Sequence, residues 1–325
     1  MTRLGYQIPN FTYPDVGPAE LFEGVAAQAE AADRSGFDTV LVMDHFYQLP
    51  MIGPPEAYML ECYTLLAALA QRTSKVRLSA LVTGNTYRNP ALLAKIVTTL
   101  DIVSRGRAQL GIGAGWFEFE HDAFGYEFGT FTDRFEKLEE ALQIVVPMLR
   151  GETPSLDGKH YRAVDVVNSP PPVGRVPVMI GGGGERKTLR MVAQYADESN
   201  LICDRHDVRR KLDALAAHCE RLGRDRSEIV VSWQTRAVIA PTMEQAEADL
   251  AAFLAPRGTD WSSLGPQEQA GLRNMFAMGD PDTVGERYAN DLDQLGIDGF
   301  TVNMIPNGHI PDRVELLGQT LSKLS

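Results

Sequence analysis

Short apolar runs alternate along the chain with longer segments whose apolar positions recur at helical spacing. Residues 4–8 form such a run and stop at Pro9, and residues 18–35 then place Leu21, Val25 and Ala29 on one side before Gly36. The predicted strands are residues 4–8, 37–43, 76–82, 108–112, 177–180, 198–202, 228–237 and 298–304. The predicted helices are residues 18–35, 58–72, Asn89-Pro90 to near Gly106, 132–149, Leu189 to Ala196, 207–222, 243–254, 281–294 and 312–323. Strand–helix units in this order predict parallel strands with right-handed crossovers.

Three longer segments interrupt this alternation. Residues 116–131 are rich in aromatic side chains, residues 151–176 contain a hairpin signal at Asp157-Gly158, and residues 256–279 are interpreted as a second insertion or a flexible lid. We expect the 151–176 insertion to lie over the barrel, and Pro147 to kink the helix at 132–149 or end it early. Eight units predict an α/β fold, a (β/α)8 TIM barrel that forms a single domain over residues 1–325. A doubly wound open sheet is the alternative.

Composition narrows the class of protein. The chain has 325 residues, of which 44% are hydrophobic and 23% charged, as is typical of a globular protein with a large core. Its net charge of −12 argues against nucleic acid or an anionic membrane as a partner, since both require a basic face. Cys62, Cys203 and Cys219 are widely spaced and form neither a disulfide framework nor a zinc motif. With no signal sequence and no apolar run long enough to span a bilayer, a cytoplasmic protein is expected.

In a barrel the functional residues lie at the carboxyl ends of the strands. The segments that directly follow predicted strands are polar, glycine-rich or aromatic: Asp44-His45, Thr83-Gly84-Asn85, Gly113 to Glu120, Ile180 to Gly184, and Asp204 to His206. His45 is the strongest catalytic candidate because an imidazole can donate or accept a proton near neutral pH. A capping or core histidine is the alternative. Asp44 is expected to point to the other side of the strand end.

The stretch Gly181-Gly182-Gly183-Gly184 follows a buried strand and precedes a helix. Backbone N–H groups in such a layout can converge on a phosphate, and Arg186 and Lys187 add positive charge. A tight turn is the alternative. The segment matches neither a P-loop nor a dinucleotide-binding fingerprint. A phosphate site this late in a βα series instead indicates a barrel.

The fourth strand ends in a second glycine-rich segment, Gly111-Ile112-Gly113-Ala114-Gly115, followed by Trp116 and Phe117. Backbone approach to a flat ligand is one interpretation, and a tight turn packed by core aromatics is the other. Glu118, Glu120, His121 and Asp122 would form an acid–base cluster if they faced the cavity, and a solvated loop is the alternative. The large aromatics Phe46, Tyr47, Tyr58, Trp116 and Phe117 indicate a roomy apolar pocket.

Two other chemistries lack their residues. A hydrolytic metal site needs several His and carboxylate ligands, but there are six histidines with no His-x-His and no His-Glu-x-x-His motif. Nucleophilic catalysis is not indicated either, since no Gly-x-Ser-x-Gly is present and Cys62 lies in a predicted apolar helix.

The motifs together resemble the bacterial luciferase-like monooxygenase superfamily, and more narrowly its actinobacterial oxidoreductases that use the deazaflavin coenzyme F420. The resemblance covers nearly the whole chain from Leu4. It rests on Asp44-His45, Thr83-Gly84-Asn85, Asn89-Pro90-(x)4-Lys95, Gly111-x-Gly-x-Gly-Trp116 and Met179-Ile180-Gly181-Gly182-Gly183-Gly184.

The resemblance implies a (β/α)8 barrel with insertions, often a homodimer, with the cofactor ring at the carboxyl-terminal mouth. Asp44 and His45 would contact the deazaflavin, His45 near its reactive face. Thr83 and Gly84 would form a bulge behind the ring, often with a non-proline cis peptide. Gly113, Ala114 and Gly115 would approach the ring or ribityl chain, and Ile180, Gly181, Gly182, Gly183 and Gly184 the phosphate. Asn85, Trp116 and Arg186 complete the expected cofactor set.

One position departs from the related F420-dependent sugar-phosphate dehydrogenases. Those enzymes carry a glutamate proton donor directly after the strand-four glycine motif, where this chain has Trp116. Glu118 and Glu120 are the nearest candidates for the donor, so neither the substrate nor the acid–base assignment transfers.

The superfamily uses F420 and FMN on one scaffold. F420 carries an acidic oligoglutamate tail, which calls for local positive charge. The candidate cations near the late loops are Arg186, Lys187, Arg205, Arg209, Arg210 and Lys211, and ordinary solvated helix charges are their alternative interpretation. We therefore expect an F420-dependent oxidoreductase that acts on a small-molecule substrate. An FMN-dependent monooxygenase using O2 and a non-catalytic F420- or flavin-binding protein are the alternatives.

Overall fold

Eight parallel strands close into a barrel in the computed structural model, which describes residues 2–324. The strands are β1 (Arg3–Ile8), β2 (Thr39–Val42), β3 (Arg77–Ala80), β4 (Ala108–Gly113), β5 (Val178–Gly181), β6 (Glu198–Leu201), β7 (Val230–Arg236) and β8 (Gly299–Asn303). Their order around the barrel is β3-β2-β1-β8-β7-β6-β5-β4, and β3 pairs with β4 through Leu78↔Ala108 and Ser79↔Gln109. Thr83–Gly84 extends β3 alongside β4. The predicted barrel is confirmed and the open sheet is excluded.

Helices connect the strands and pack around the barrel. They are α1 (Leu21–Ser35), α2 (Cys62–Leu69), α3 (Pro90–Ser104), α4 (Glu118–Phe124), α5 (Phe131–Leu149), α6 (Thr188–Tyr195), α7 (Val208–Leu222), α8 (Met243–Leu254), α9 (Pro266–Met275), α10 (Pro281–Leu295) and α11 (Pro311–Leu321). Local signals set their ends. Asn89 accepts hydrogen bonds from the N–H groups of Ala91 and Leu92 at the start of α3, and left-handed Gly36 ends α1. No helix within residues 2–324 combines the length and the apolar character that crossing a bilayer requires.

The predicted end of α5 at residue 149 is confirmed: Pro147 does not end the helix early, because it lies in the last turn and costs that helix only one N–H donor. Other boundaries differ from those predicted. Pro18 lies in a turn before α1, which begins at Leu21. Segments 116–131 and 256–279, for which no helix was predicted, contain α4 and α9, and Met278–Gly279 pairs in parallel with Val238–Ile239.

The 151–176 insertion contains the predicted hairpin, since Leu156–Asp157 pairs antiparallel with Arg162–Ala163. It lies along α3 and α5 rather than over the barrel. Glu140 of α5 accepts the backbone N–H groups of Lys159, His160 and Tyr161, and Lys95 of α3 donates to the carbonyl of Ser169 at 2.6 Å. The insertion therefore braces the outer helices.

The inside of the barrel is filled in layers. Leu41, Leu81 and Met179 form an apolar cluster within it. A Cβ on Gly111 would lie 2.0 Å from the carbonyl oxygen of Ala80, so only glycine fits where β4 approaches β3. Asn200 donates to both Ser232 and Thr301 at 2.9 Å. These side chains close the barrel below its carboxyl-terminal mouth.

Candidate active site

A cavity of about 960 Å³ opens at the carboxyl-terminal ends of the strands, a size within the range of ligand pockets. Of the predicted site residues, His45, Trp116, Gly183 and Gly184 line it. Apolar and aromatic side chains make up much of the remaining wall: Met43, Leu49, Met51, Leu81, Ile202, Trp233, Met275 and Tyr288.

His45 reaches the cavity because side chains alternate along an extended segment. Leu41 lies inside the barrel, and Met43 and His45, two and four residues on, line the cavity. The imidazole Nδ1 lies 2.8 Å from Glu120 Oε2. Nε2 has no partner within the described residues, so it is the ring nitrogen available to a ligand. Trp116 and Phe117 pack edge-on against the ring, both with centroids at 5.8 Å.

Glu120 is fully buried near the start of α4, and four donors converge on its carboxylate. The backbone N–H groups of Phe46 and Tyr47 donate to Oε1 at 2.6 and 2.8 Å, and the Tyr87 hydroxyl donates to Oε2 at 2.7 Å. Burial alone would raise the pKa of Glu120, but the hydrogen bond from His45 and those from Tyr47 and Tyr87 outweigh it and hold the pKa below its ordinary value. An ionised carboxylate only accepts hydrogen bonds, so Nδ1 of His45 carries a proton. Glu120 therefore positions His45 and does not itself line the cavity.

The other carboxylates of the predicted cluster do not join this pair. Glu118 is exposed, and neither it nor Asp122 lines the cavity. His121 is buried between Thr86, whose hydroxyl is 2.6 Å from Nε2, and the carbonyl of Phe117, 2.9 Å from Nδ1. Of the three predicted carboxylates, Glu120 is therefore buried against His45, while Glu118 and Asp122 lie on the solvated surface.

Asp44 points away from the barrel axis, as predicted. Its carboxylate forms a bidentate pair with Arg88 at 2.6 and 2.9 Å and accepts the N–H of Gly84 at 3.0 Å. Burial works against the charge on Arg88, yet Asp44 more than offsets it and raises the pKa of that guanidinium. Asp44 is not among the residues that line the cavity, and its hydrogen bonds tie the end of β2 to the extension of β3.

Thr83, Gly84 and Asn85 lie behind the cavity wall. Thr83 is buried, with its hydroxyl 2.6 Å from that of Tyr63, and the Asn85 side chain is buried without a hydrogen-bond partner. The non-proline cis peptide joins Leu81 to Val82, one residue before the predicted bulge at Thr83 and Gly84. Leu81 lines the cavity, so the segment that contributes to the wall here is Leu81 and not the predicted pair Thr83 and Gly84.

The glycines have packing roles as well. A Cβ on Gly113 would lie 2.8 Å from Val82, and one on Gly181 would lie 2.7 Å from the same side chain. Neither they nor Ala114, Gly115, Ile180 and Gly182 are among the lining residues. Gly183 and Gly184 do line the cavity, as does Lys211, whose ammonium is 2.8 Å from Glu185 Oε1. Arg186 is exposed outside the cavity.

Three strand ends that the sequence interpretation left out also reach the cavity. Gln7 of β1 accepts hydrogen bonds from Gln234 of β7 at 2.8 Å and from Asn303 of β8 at 3.2 Å, and all three line the floor. Arg236, the last residue of β7, also lines the cavity. Their positions at the carboxyl ends of predicted strands were the available signal.

A group of possible metal ligands lies elsewhere. Asp133 and Glu136 of α5 and His160 of the insertion bring their ligand atoms within 4.8 Å of one another. The Lys159 ammonium bonds to both carboxylates, at 3.4 and 2.8 Å. These residues are outside the cavity, and a lysine already supplies their positive charge.

Comparison with known proteins gives one family. The family described as luciferase-like monooxygenase matches residues 2–299 of the chain. An F420-dependent glucose-6-phosphate dehydrogenase of Segniliparus rotundus is 31% identical over 204 residues, which cover 62% of this chain and 56% of that protein. The chain therefore aligns with little more than half the length of that relative.

Solved structures of low sequence identity share the fold. An F420-dependent secondary alcohol dehydrogenase in complex with an F420-acetone adduct matches with a TM-score of 0.76 and 20% identity, over 100% of this chain and 99% of that chain. An EDTA monooxygenase from Chelativorans sp. BNC1 matches with a TM-score of 0.80 and 18% identity, over 99% and 93%. The two names differ in chemistry, so the likeness is one of fold.

We predict that Glu120→Gln lowers the free energy of unfolding at pH 7 by roughly 2–4 kcal/mol, because the amide cannot accept from all four donors. The pKa of folded Glu120 is depressed, so its contribution is present above the ordinary glutamate pKa of about 4.3 and is lost as the pH falls toward the lower folded value. Urea unfolding of both proteins at several pH values measures this difference.

The control is Glu118→Gln, two residues away and exposed, which should change stability by less than about 0.5 kcal/mol. Equal effects of the two substitutions at pH 7, or a Glu120→Gln effect that does not shrink in acid, would contradict the assignment of Glu120 as a buried ionised carboxylate.

Proposed function

The chain belongs to the luciferase-like monooxygenase family, and from this membership and the geometry of its cavity we propose that it is an oxidoreductase that uses coenzyme F420. The relative from Segniliparus rotundus, named an F420-dependent glucose-6-phosphate dehydrogenase, supports the choice of cofactor. Because the alignment covers 56% of that protein, and because this chain has Trp116 directly after the β4 glycine motif, we do not carry over its substrate.

The donors on the cavity wall fit a cofactor with a flat ring and an anionic tail. Gly183 and Gly184 line the cavity together with Lys211 and Arg205. Gln7, Gln234 and Asn303 offer amide groups on the floor, and Trp116 and Trp233 offer aromatic faces. Of the six cations noted in the sequence, Arg205 and Lys211 line the cavity. These two would hold the phosphate or the acidic tail.

The observation that carries the proposal is the His45–Glu120 pair at the wall of this cavity. Bound F420 would supply hydride chemistry at its deazaflavin ring. Hydride transfer to or from a substrate carbon requires a proton to leave or join the substrate. Nε2 of His45 is free to take or give that proton, while Glu120, through Nδ1–H, stabilises the imidazolium that forms. Trp116 and Phe117 shield the imidazole ring of His45 from solvent on one side.

We predict that the purified chain binds F420 at least about tenfold more tightly than FMN in fluorescence titrations, since the glycine loop is flanked by cations that a longer acidic tail can reach. Lys211→Gln should weaken F420 binding by roughly tenfold. Lys75→Gln, an exposed lysine before β3 at the opposite end of the barrel, is the matched control and should leave the affinity unchanged.

Preferential binding of FMN, together with O2 consumption when a flavin reductase supplies reduced flavin, would make the chain an FMN monooxygenase. Tight F420 binding with no turnover of any partner would make it a carrier or sensor of the coenzyme. Either result contradicts the proposal.

We predict that His45→Ala lowers kcat by roughly 100- to 10,000-fold with the first substrate found by screening oxidised and reduced F420, because the proton acceptor is lost. The F420 dissociation constant should stay within a few-fold. His160→Ala, which removes a histidine outside the cavity, is the control and should retain turnover. Unchanged kcat in His45→Ala would refute the catalytic role.

A further inference from the structure

Four cationic side chains line the cavity, and three of them are paired within the protein. Arg205 Nε lies 2.6 Å and Arg287 Nε 3.1 Å from the two oxygens of Asp291, and Lys211 bonds to Glu185. Arg236 is exposed, and it has no hydrogen-bond, ion-pair or aromatic partner among residues 2–324. Its guanidinium is therefore the lining cation whose donors have no partner inside the described part of the protein.

The strand determines where Arg236 points. Ser232 and Gln234, two and four residues earlier in β7, both direct their side chains into the barrel, where Ser232 accepts from Asn200 and Gln234 donates to Gln7. Side chains alternate along a strand, so Arg236 leaves β7 on the same face. It therefore lies at the mouth, above the amide groups of Gln7 and Gln234.

The rest of the wall does not neutralise this guanidinium. Asp204, three residues after β6, also lines the cavity, and no ion pair within 4.0 Å joins it to Arg236 in the described chain. The lining carboxylates are Asp204, Asp207 and Asp291, against four cations, in a protein whose net charge is −12. The cavity is thus locally more positive than the protein as a whole.

A guanidinium binds carboxylate or phosphate through two parallel N–H···O bonds. The glycine loop that would hold the cofactor phosphate follows β5, and β6 separates β5 from β7. Arg236 therefore leaves the barrel two strands away from that loop, on the same cavity. We propose that Arg236 binds an anionic group, carboxylate or phosphate, of the substrate; this inference rests on the proposed F420-dependent function.

Calorimetric titration of the full chain, with and without F420, tests the inference with benzoate, phenyl phosphate and the neutral analogue benzamide as probes. We expect at least one of the two anions to bind about tenfold more tightly than benzamide. Arg236→Gln should abolish this preference and Arg236→Lys should retain part of it. Arg150 is exposed, lies outside the cavity and has no side-chain partner among residues 2–324, so Arg150→Gln is the control and should retain all of the preference.

A preference for anions that survives in Arg236→Gln, or no preference in the wild type, would overturn the inference. So would a loss of F420 affinity of about tenfold or more in Arg236→Gln, because the anion bound there would then belong to the cofactor. An F420 affinity within a few-fold of wild type supports the substrate assignment. Failure of the wild type to bind F420 would refute the proposed function separately, since the probe titrations without F420 do not depend on it.

Discussion

The buried carboxylate of Glu120 is the interaction on which the arrangement of the site depends. It joins the segment after β2 to the start of α4 by accepting from His45, from two backbone N–H groups and from Tyr87. A carboxylate with no exposed surface is stable only when such donors surround it. The same bonds that satisfy its charge fix the imidazole, so the requirement to satisfy a buried charge also determines which nitrogen of His45 remains free.

The cavity around that nitrogen is held by similar constraints. Asp44 locks Arg88 and the backbone of Gly84 behind the wall, and Asp291 holds Arg205 and Arg287 on the far side. Trp233 is fixed by a 2.9 Å hydrogen bond from its indole N–H to the carbonyl of Cys203. Groups whose hydrogen bonds are already made inside the protein need little rearrangement when a ligand binds, which favours precise positioning. Arg236 differs because its backbone is paired in the sheet while its guanidinium has no partner in the described chain.

The barrel could be predicted because its strands are short buried runs bounded by glycine and proline. The location of the site could be predicted because functional residues of such a barrel lie at the carboxyl ends of its strands. The position of His45 at the cavity was predicted from its place after β2, and the direction of the Asp44 side chain from the alternation of side chains along the strand. What failed depended on contacts between distant segments. No local pattern showed that Glu120, rather than Glu118, would turn inward. The inward direction of Glu120 depends on helix α4, and the many aromatic residues of this segment obscured its helical pattern. The polar floor of Gln7, Gln234 and Asn303 requires the order of β1, β8 and β7 around the barrel.

The most direct test of the His45–Glu120 arrangement is the nitrogen-15 NMR spectrum of the histidine side chains, with His45 assigned by comparison with His45→Ala. We expect Nδ1 of His45 to carry a hydrogen-bonded proton. Addition of F420 should shift the Nε2 resonance, while Nδ1 keeps its proton and its hydrogen bond to Glu120. A bare Nδ1, or an Nε2 resonance that saturating F420 leaves unchanged, would contradict the claim that Glu120 presents His45 to the cofactor.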